Sequence, residues 1–292
     1  MGLARTIANT AGTTQKPAPD ALSALFALGR PLVMGILNVT PDSFSDAGQF
    51  IDPMTAIAHA GEIAKQGADI LDIGAESTRP YGGAKPVSAG DERARLAPVL
   101  PAAVKLGLPV SIDTIKASIA AWALDQGAAI VNDVWGLQGD PDMARLVAER
   151  GVSVIVMHNR EAADPAIDIV ADVITFFSRS LEIAERAGIA RANIVLDPGI
   201  GFGKTPEQSI VCIARLAEFK RFGRPLLVGA SRKRFINSVT PSPPDERIGG
   251  SIASHLLAVE HGAAIVRAHD VAETVQALRV AAVIGRAKEN PK

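Results

Sequence analysis

From Pro31 onward, the chain alternates between short runs rich in β-branched residues and longer stretches with apolar residues at helical spacing. The short runs are mostly apolar, and most of the longer stretches end in glycine. This pattern is typical of a parallel sheet covered by helices. Eight such strand-and-helix units predict an α/β fold, a (β/α)8 barrel in a single domain over residues 31–288, with a flexible N-terminal tail at residues 1–30.

The predicted strands are Pro31–Asn38, Ala68–Gly74, Leu108–Asp113, Ala128–Asp133, Val152–His158, Asn193–Asp197, Pro225–Gly229 and Ala263–His269. The predicted helices are Met54–Gly67, Ser88–Gly107, Ile115–Gly127, Pro141–Gly151, Ala166–Gly188, Pro206–Phe222, Asp245–Gly262 and a last one that ends near Lys288. An open doubly wound sheet is the alternative, but the glycine fingerprint that such sheets carry after the first strand is absent from this sequence.

Composition excludes several classes of function. A chain of 292 residues with 48% hydrophobic content can bury a large core, and a net charge of -1 without a Lys/Arg cluster argues against a nucleic-acid partner. The single cysteine, Cys212, excludes an intramolecular disulfide and a cysteine-based metal site. With no apolar run of membrane-spanning length and no secretory signal pattern, we expect no membrane partner and a cytoplasmic location.

The segment NIVLDPGIGFGKT, Asn193–Thr205, places Asp197 at the end of an apolar run and follows it with a glycine-rich loop. Glycines let the backbone approach a bound group closely. The loop resembles a phosphate-binding P-loop, but that motif needs glycine where this chain has Pro198, and the carboxylate of Asp197 would repel phosphate. The segment therefore favours the floor of a small-molecule site.

Active sites of such barrels lie at the carboxyl ends of the strands. Polar or charged residues occur at all eight ends, whereas ordinary turn chemistry would explain one or two of them. This convergence predicts a catalytic rim. Its members are Asn38; Glu76 with Thr78 and Arg79; Asp113; Asn132 with Asp133; Met157 with His158; Asp197; Ser231 with Lys233; and Arg267 with His269.

The rim residues divide into two chemical groups. Asp113, Asn132 and Asp197 suit the ring and amino N–H donors of a flat nitrogen heterocycle, and Lys233 can reach a ring carbonyl. Arg267, His269 and Asn38 suit an anionic leaving group accompanied by a hard cation. The segments Val39–Phe50 and Thr78–Val87 are long for βα connections and rich in Pro, Gly and Ser, which is typical of lids.

Eight motifs carry a family resemblance. In chain order, from about Val33 to the last helix, they are GILNVTPDSFSD, DIGAESTRP, SIDTIK, VNDVWG, MH, LDPGIGFGK, GASRKRFI and VRAHD. Together they resemble the dihydropteroate synthases. The resemblance implies a TIM barrel that joins 6-hydroxymethyl-7,8-dihydropterin diphosphate to p-aminobenzoate, with Mg²⁺, and releases pyrophosphate and 7,8-dihydropteroate. It also implies a homodimer and inhibition by sulfonamides.

The resemblance assigns a role to each matching residue. Asp113, Asn132, Asp197 and Lys233 would bind the pterin, with Met157, Phe202 and Gly229 in the same site. Thr78, Arg267 and His269 would bind the diphosphate, Asn38 would bind Mg²⁺, and Asp113, Lys233, Arg267 and His269 would be catalytic. The p-aminobenzoate site would comprise Ser231 and two loops that contribute Thr40, Pro41, Asp42, Ser43, Phe44, Arg79 and Pro80.

Two other functions are considered. A pterin-binding methyltransferase domain would share the barrel and the pterin carboxylates, but it does not need the TPDSFSD and SRK motifs that this chain has. A catalytically silent paralogue that serves as a binding protein would be expected to have lost Asp42, Lys233 or Arg267, and all three are present.

Overall fold

The computed structural model describes residues 21–40, 52–76 and 87–289. Parallel strands form a closed barrel in sequence order, and the last strand pairs with the first, so the predicted (β/α)8 barrel is confirmed. The strands are β1 Leu32–Asn38, β2 Ile70–Gly74, β3 Val110–Asp113, β4 Ile130–Asp133, β5 Ser153–Met157, β6 Ile194–Asp197, β7 Leu226–Val228 and β8 Ala263–Ala268. The limits of the domain and of the N-terminal tail at residues 1–30 remain predictions.

Helices follow the strands. They are α1 Ala21–Phe26, α2 Pro53–Lys65, α3 Ala89–Leu96, α4 Leu100–Val104, α5 Ala117–Asp125, α6 Met143–Arg150, α7 Ile169–Ala187, α8 Pro206–Ala214, α9 Arg234–Val239, α10 Ile248–Glu260 and α11 Val271–Glu289. Short 3-10 helices lie at Arg191–Asn193, Leu216–Phe222 and Pro244–Glu246. Within the described ranges, no helix combines the length and the apolar character needed to cross a bilayer.

Several helical segments differ from their prediction. The predicted helix Ser88–Gly107 is divided into α3 and α4, because Pro98 has no N–H to donate and its ring clashes with the carbonyl of the preceding turn. The predicted helix Pro206–Phe222 is α-helical only to Ala214 and continues as a 3-10 helix. Helices α1 and α9 were not predicted, because a six-residue segment is too short to show helical periodicity, and α1 lies within the predicted tail.

The inward-facing side chains of the barrel change character along its axis. Near the amino ends of the strands they are apolar and pack together with Leu22 of α1; they include Leu32, Met34, Ile70, Ile130, Ile155, Val195, Leu227 and Ile265. Successive inward positions in a strand are two residues apart. The next inward position after four of these residues is therefore Asp72 in β2, Asn132 in β4, Asp197 in β6 and Arg267 in β8. The fold thus has a dry lower core and a polar mouth at its carboxyl end.

Gly35 in β1 and Gly61 in α2 provide a matched test of this packing. A Cβ at Gly35 would overlap the Cγ2 methyl of Ile63, whereas a Cβ at Gly61 would meet no atom within 4 Å. We expect Gly35→Ala to lower the free energy of unfolding by about 1–3 kcal/mol through overpacking. Gly61→Ala should raise it by about 0.5–1 kcal/mol, because alanine favours the helix. Urea unfolding measures both, and equal effects from the two substitutions would contradict the packing of β1 against α2.

Candidate active site

A pocket opens at the carboxyl end of the barrel. Its lining combines carboxylates, an amide, two cations and apolar side chains, namely Asp113, Asn132, Val134, Met157, Asp197, Ile200, Phe202, Gly229, Lys233 and Arg267. Seven of these ten residues were predicted for the pterin site, Arg267 was predicted for the diphosphate, and Val134 and Ile200 were not predicted. The structure therefore brings one complete group of predicted residues together, while their individual roles remain predictions.

Arg267 connects two carboxylates at the pocket wall. Its Nε donates to Oδ2 of Asp72 at 2.6 Å, and its Nη2 donates to Oδ2 of Asp113 at 3.1 Å. Asn132 donates from Nδ2 to the same oxygen of Asp72 at 3.2 Å. Asp72 is fully buried and was not among the predicted site residues. The available signal was a single acid inside an otherwise apolar strand, Ile70–Gly74.

The carboxyl of Asp113 has an unusual proton affinity. Burial, together with the nearby charge of Asp72, raises its pKa to about 7, although the charges of Arg267 and Lys233 lower it. Among the described residues, Oδ1 of Asp113 is buried and has no hydrogen-bond partner. A buried acceptor without a partner is costly, so this oxygen is available to a donor from a bound molecule.

Asp197 lies at the end of β6, where the glycine-rich loop begins. Burial raises the pKa of its carboxyl to about 6. The hydrogen bond from the Gly199 N–H lowers this pKa, as do the charges of Lys233, Lys204 and Arg267. The N–H of Gly199 donates to Oδ1 of Asp197 at 2.7 Å. Gly199 has a φ of 66°, and a Cβ there would overlap the carbonyl oxygen of His158, so this turn requires glycine.

Phe202 and Lys233 form an aromatic and cationic part of the pocket lining. The ammonium of Lys233 lies 4.1 Å from the centroid of the Phe202 ring, within the range of a cation–π interaction. Met157, which is buried, lines the same pocket. Together with the two carboxylates, these residues can bind a flat, polar ring that carries both donors and acceptors.

The other predicted residues in the described ranges lie outside this lining. Asn38 ends β1 and pairs in register with Gly74, whose nearest side chain is that of Asp113. Ser231 is buried and accepts a hydrogen bond from the backbone N–H of His269 at 3.1 Å, and His269 Nδ1 lies 3.0 Å from its hydroxyl. Thr40 follows β1. Pro41, Asp42, Ser43, Phe44, Thr78, Arg79 and Pro80 lie outside the described residues.

A second buried polar group lies beside the pocket. Lys204 is 2% exposed, and its Nζ lies 2.6 Å from Nδ1 of His158, the residue that follows β5. The backbone N–H of His158 donates to the carbonyl of Asp197 at 2.8 Å, which joins the ends of β5 and β6. The sequence interpretation placed His158 at a strand end but missed Lys204. The available signal was a lysine directly after the glycines.

A family of pterin binding enzymes matches residues 34–269. The chain is 46% identical over 250 residues to the dihydropteroate synthase of Bacillus subtilis strain 168, covering 85% of this chain and 87% of that protein.

Solved structures of dihydropteroate synthases are similar to this chain in fold and in sequence. The Xanthomonas albilineans dihydropteroate synthase with 4-aminobenzoic acid has a TM-score of 0.84 and 43% identity, covering 88% of this chain and 94% of that one. The Yersinia pestis dihydropteroate synthase in a sulfonamide drug complex has a TM-score of 0.82 and 39% identity, covering 89% and 96%.

The contact network predicts that Asp72 controls the protonation of Asp113. Because the charge of Asp72 raises the pKa of Asp113, Asp72→Asn should lower that pKa from about 7 by about one pH unit or more. Carbon-13 NMR of the carboxyl groups measures the titration. Asp133 is an internal control, since burial raises its pKa to about 6 without a contribution from Asp72. An unchanged Asp113 titration in the variant would contradict the coupling.

Proposed function

Because the chain belongs to the pterin-binding enzyme family, and within it to the dihydropteroate synthases, we propose how the residues of the barrel mouth carry the reaction. The enzyme is a transferase that joins 6-hydroxymethyl-7,8-dihydropterin diphosphate to p-aminobenzoate and forms 7,8-dihydropteroate and pyrophosphate. The observation that supports the assignment of roles is the convergence of Asp113, Asn132, Asp197 and Lys233 on one pocket.

The pterin edge is the proposed partner of the acidic side of the pocket. Asp197 and the unpartnered Oδ1 of Asp113 accept from the ring and amino N–H groups, Asn132 adds an amide, and Lys233 donates to the ring carbonyl. Met157 and Phe202 contact the faces of the ring. These donors bind the ionised form of the two carboxyl groups. Burial raises the pKa of Asp113 to about 7 and the pKa of Asp197 to about 6. Pterin affinity should therefore rise as the pH rises to about 7.

The diphosphate is the proposed partner of Arg267, His269 and Thr78. The two bonds of Arg267 to carboxylates use Nε and Nη2, and Nη1 donates to neither of them. A guanidinium that is fixed in this way can meet charge as it develops on the leaving oxygen, which lowers the barrier when the bond between carbon and diphosphate breaks. The amine of p-aminobenzoate then attacks the delocalised pterin cation. No side-chain nucleophile is required.

Mg²⁺ is the proposed metal, with Asn38 as its protein ligand. Within the described residues, no group of three His, Cys, Asp or Glu side chains could hold a metal ion by itself. The amide oxygen of Asn38 at the end of β1 is a hard, neutral donor, and Mg²⁺ commonly takes its remaining ligands from water and substrate phosphates. This donor set is compatible with a cation that arrives with the diphosphate and neutralises its charge.

The second substrate is proposed to bind beside Ser231 and the two loops that carry Thr40, Pro41, Asp42, Ser43, Phe44, Arg79 and Pro80. Support comes from the bound 4-aminobenzoic acid of the Xanthomonas albilineans enzyme and the sulfonamide complex of the Yersinia pestis enzyme. We expect sulfonamides to compete with p-aminobenzoate here. The cytoplasmic location stays a prediction.

One assay tests the function directly. The purified chain is incubated with the pterin diphosphate and p-aminobenzoate, and dihydropteroate and pyrophosphate are measured together, with and without Mg²⁺. Equal amounts of the two products, dependent on both substrates and Mg²⁺, support the proposal. A methyltransferase domain or a silent paralogue would bind the pterin and release no pyrophosphate.

Asp197→Asn tests the pterin anchor. An amide presents a donor where the carboxylate accepts, so a buried mismatch should weaken binding of 6-hydroxymethylpterin by about ten- to a hundredfold. Calorimetry measures the affinity. Asp125→Asn is the matched control, because Asp125 is exposed and pairs with Arg150 at 2.7 Å, away from the pocket lining. Equal affinities of Asp197→Asn and the control would assign the pterin to other residues.

A homodimer through the last two helices is also proposed. Leu257 of α10 and Val280, Val283 and Ile284 of α11 are 48–65% exposed, and a second copy could cover them. We expect wild-type protein to sediment as a dimer at micromolar concentration and Val280→Glu with Ile284→Glu to sediment as a monomer. Met54→Glu is the control, because Met54 is 70% exposed near the start of α2 and does not belong to the proposed interface. A monomeric wild type, or a dimer that survives the double substitution, would exclude this interface.

A further inference from the structure

Lys204 occupies an unusual position for a lysine. It follows the glycine-rich loop and directly precedes Thr205, the N-cap of α8, and its side chain runs back beneath the loop. Its Nζ donates to the carbonyl of Phe202 at 3.1 Å and reaches Nδ1 of His158 at 2.6 Å. Lysine is rarely fully buried unless it is paired, so the chain maintains this arrangement against a desolvation cost.

The protonation states in this group follow from burial. Burial lowers the pKa of Lys204 to about 8, so at neutral pH the ammonium is mostly charged and donates. Burial also lowers the pKa of His158 to about 4, so its ring is neutral and accepts at Nδ1. Its Nε2 then carries the proton and donates to Oδ2 of Asp172 at 3.0 Å. Hydrogen bonding to His158 lowers the pKa of Asp172 to about 2, which keeps that acceptor ionised.

These contacts form a continuous series from the first turn of α7 to the pocket. Asp172 orients His158, His158 orients Lys204, and Lys204 fixes the carbonyl of Phe202, whose ring contacts Lys233. The glycine-rich loop is closely packed against Arg160, since a Cβ at Gly203 would overlap that residue. The charges that face Asp197 are Lys204 from the loop, Lys233 after β7 and Arg267 on β8.

We propose that Lys204 is a positioning residue of the pterin pocket, held by His158 and Asp172, which sets the glycine loop so that Phe202 and Asp197 face the pterin. This inference rests on the proposed function, because it specifies how that site is held. Lys204 is not in the pocket lining, so it acts through Phe202 and through its charge near Asp197. A lysine that served only the fold would affect stability without a selective effect on the pterin.

Lys204→Met separates these roles, with Lys105→Met as the control because Lys105 is exposed at the end of α4. We expect Lys204→Met to weaken 6-hydroxymethylpterin binding and raise the KM for the pterin diphosphate by about ten- to a hundredfold, with the KM for p-aminobenzoate within about twofold of wild type. Carbon-13 NMR should show a higher pKa of Asp197, since a neighbouring positive charge is lost.

Equal losses for both substrates, or an unchanged pKa of Asp197, would overturn the proposal. If Lys204→Met does not fold, Asp172→Ala decides the matter, because it removes the acceptor of His158 at a partly exposed site. Asp172→Ala should weaken pterin binding less than Lys204→Met does. An unchanged pterin affinity would show that the contacts from Asp172 to Lys204 do not position the pocket. Wild-type protein that binds the pterin but forms no dihydropteroate would refute the proposed function and leave the positioning test intact.

Discussion

Arg267 is the residue on which the barrel mouth depends. Two carboxylates, Asp72 and Asp113, lie within reach of its guanidinium in a region with little access to water. Burying unpaired ions is costly, and two adjacent acids without a cation would share a proton rather than both ionise. The guanidinium balances this pair, and it also holds Asp113 in place. These contacts occupy Oδ2 of Asp113 and leave its buried Oδ1 without a hydrogen-bond partner among the described residues.

The fold could be predicted because one pattern repeats eight times and the inward positions follow the two-residue period of a strand. A polar residue near the end of one strand can belong to an ordinary turn or to an active site. Polar residues at all eight strand ends favour an active site. The errors lie in the helices. Pro98 interrupts a segment whose apolar spacing continues across it, and α9 is shorter than two helical turns, so periodicity could not resolve either feature.

The sequence predicted most of the residues that line the pocket, but it did not predict the residues that support them. Asp72 lies one inward position below the rim. It acts on the site through its hydrogen bond with Arg267, which is 195 residues away along the chain. Lys204 and His158 are 46 residues apart and meet only because β5 and β6 are neighbours. Side-chain pairing across strands depends on register and rotamer, and the sequence pattern predicts neither. Val134 and Ile200 were missed because an apolar residue near a strand end carries no chemical signal.

The packed glycine loop has a consequence for how this site can change over evolutionary time. Gly199 and Gly203 have φ values of 66° and 54°, and neither position has room for a side chain. Asp197 and Lys204 are fixed by neighbours that are themselves buried. We therefore expect few amino-acid substitutions at these four positions to preserve the folded loop. A ligand that binds against this loop should accordingly encounter little natural sequence variation there.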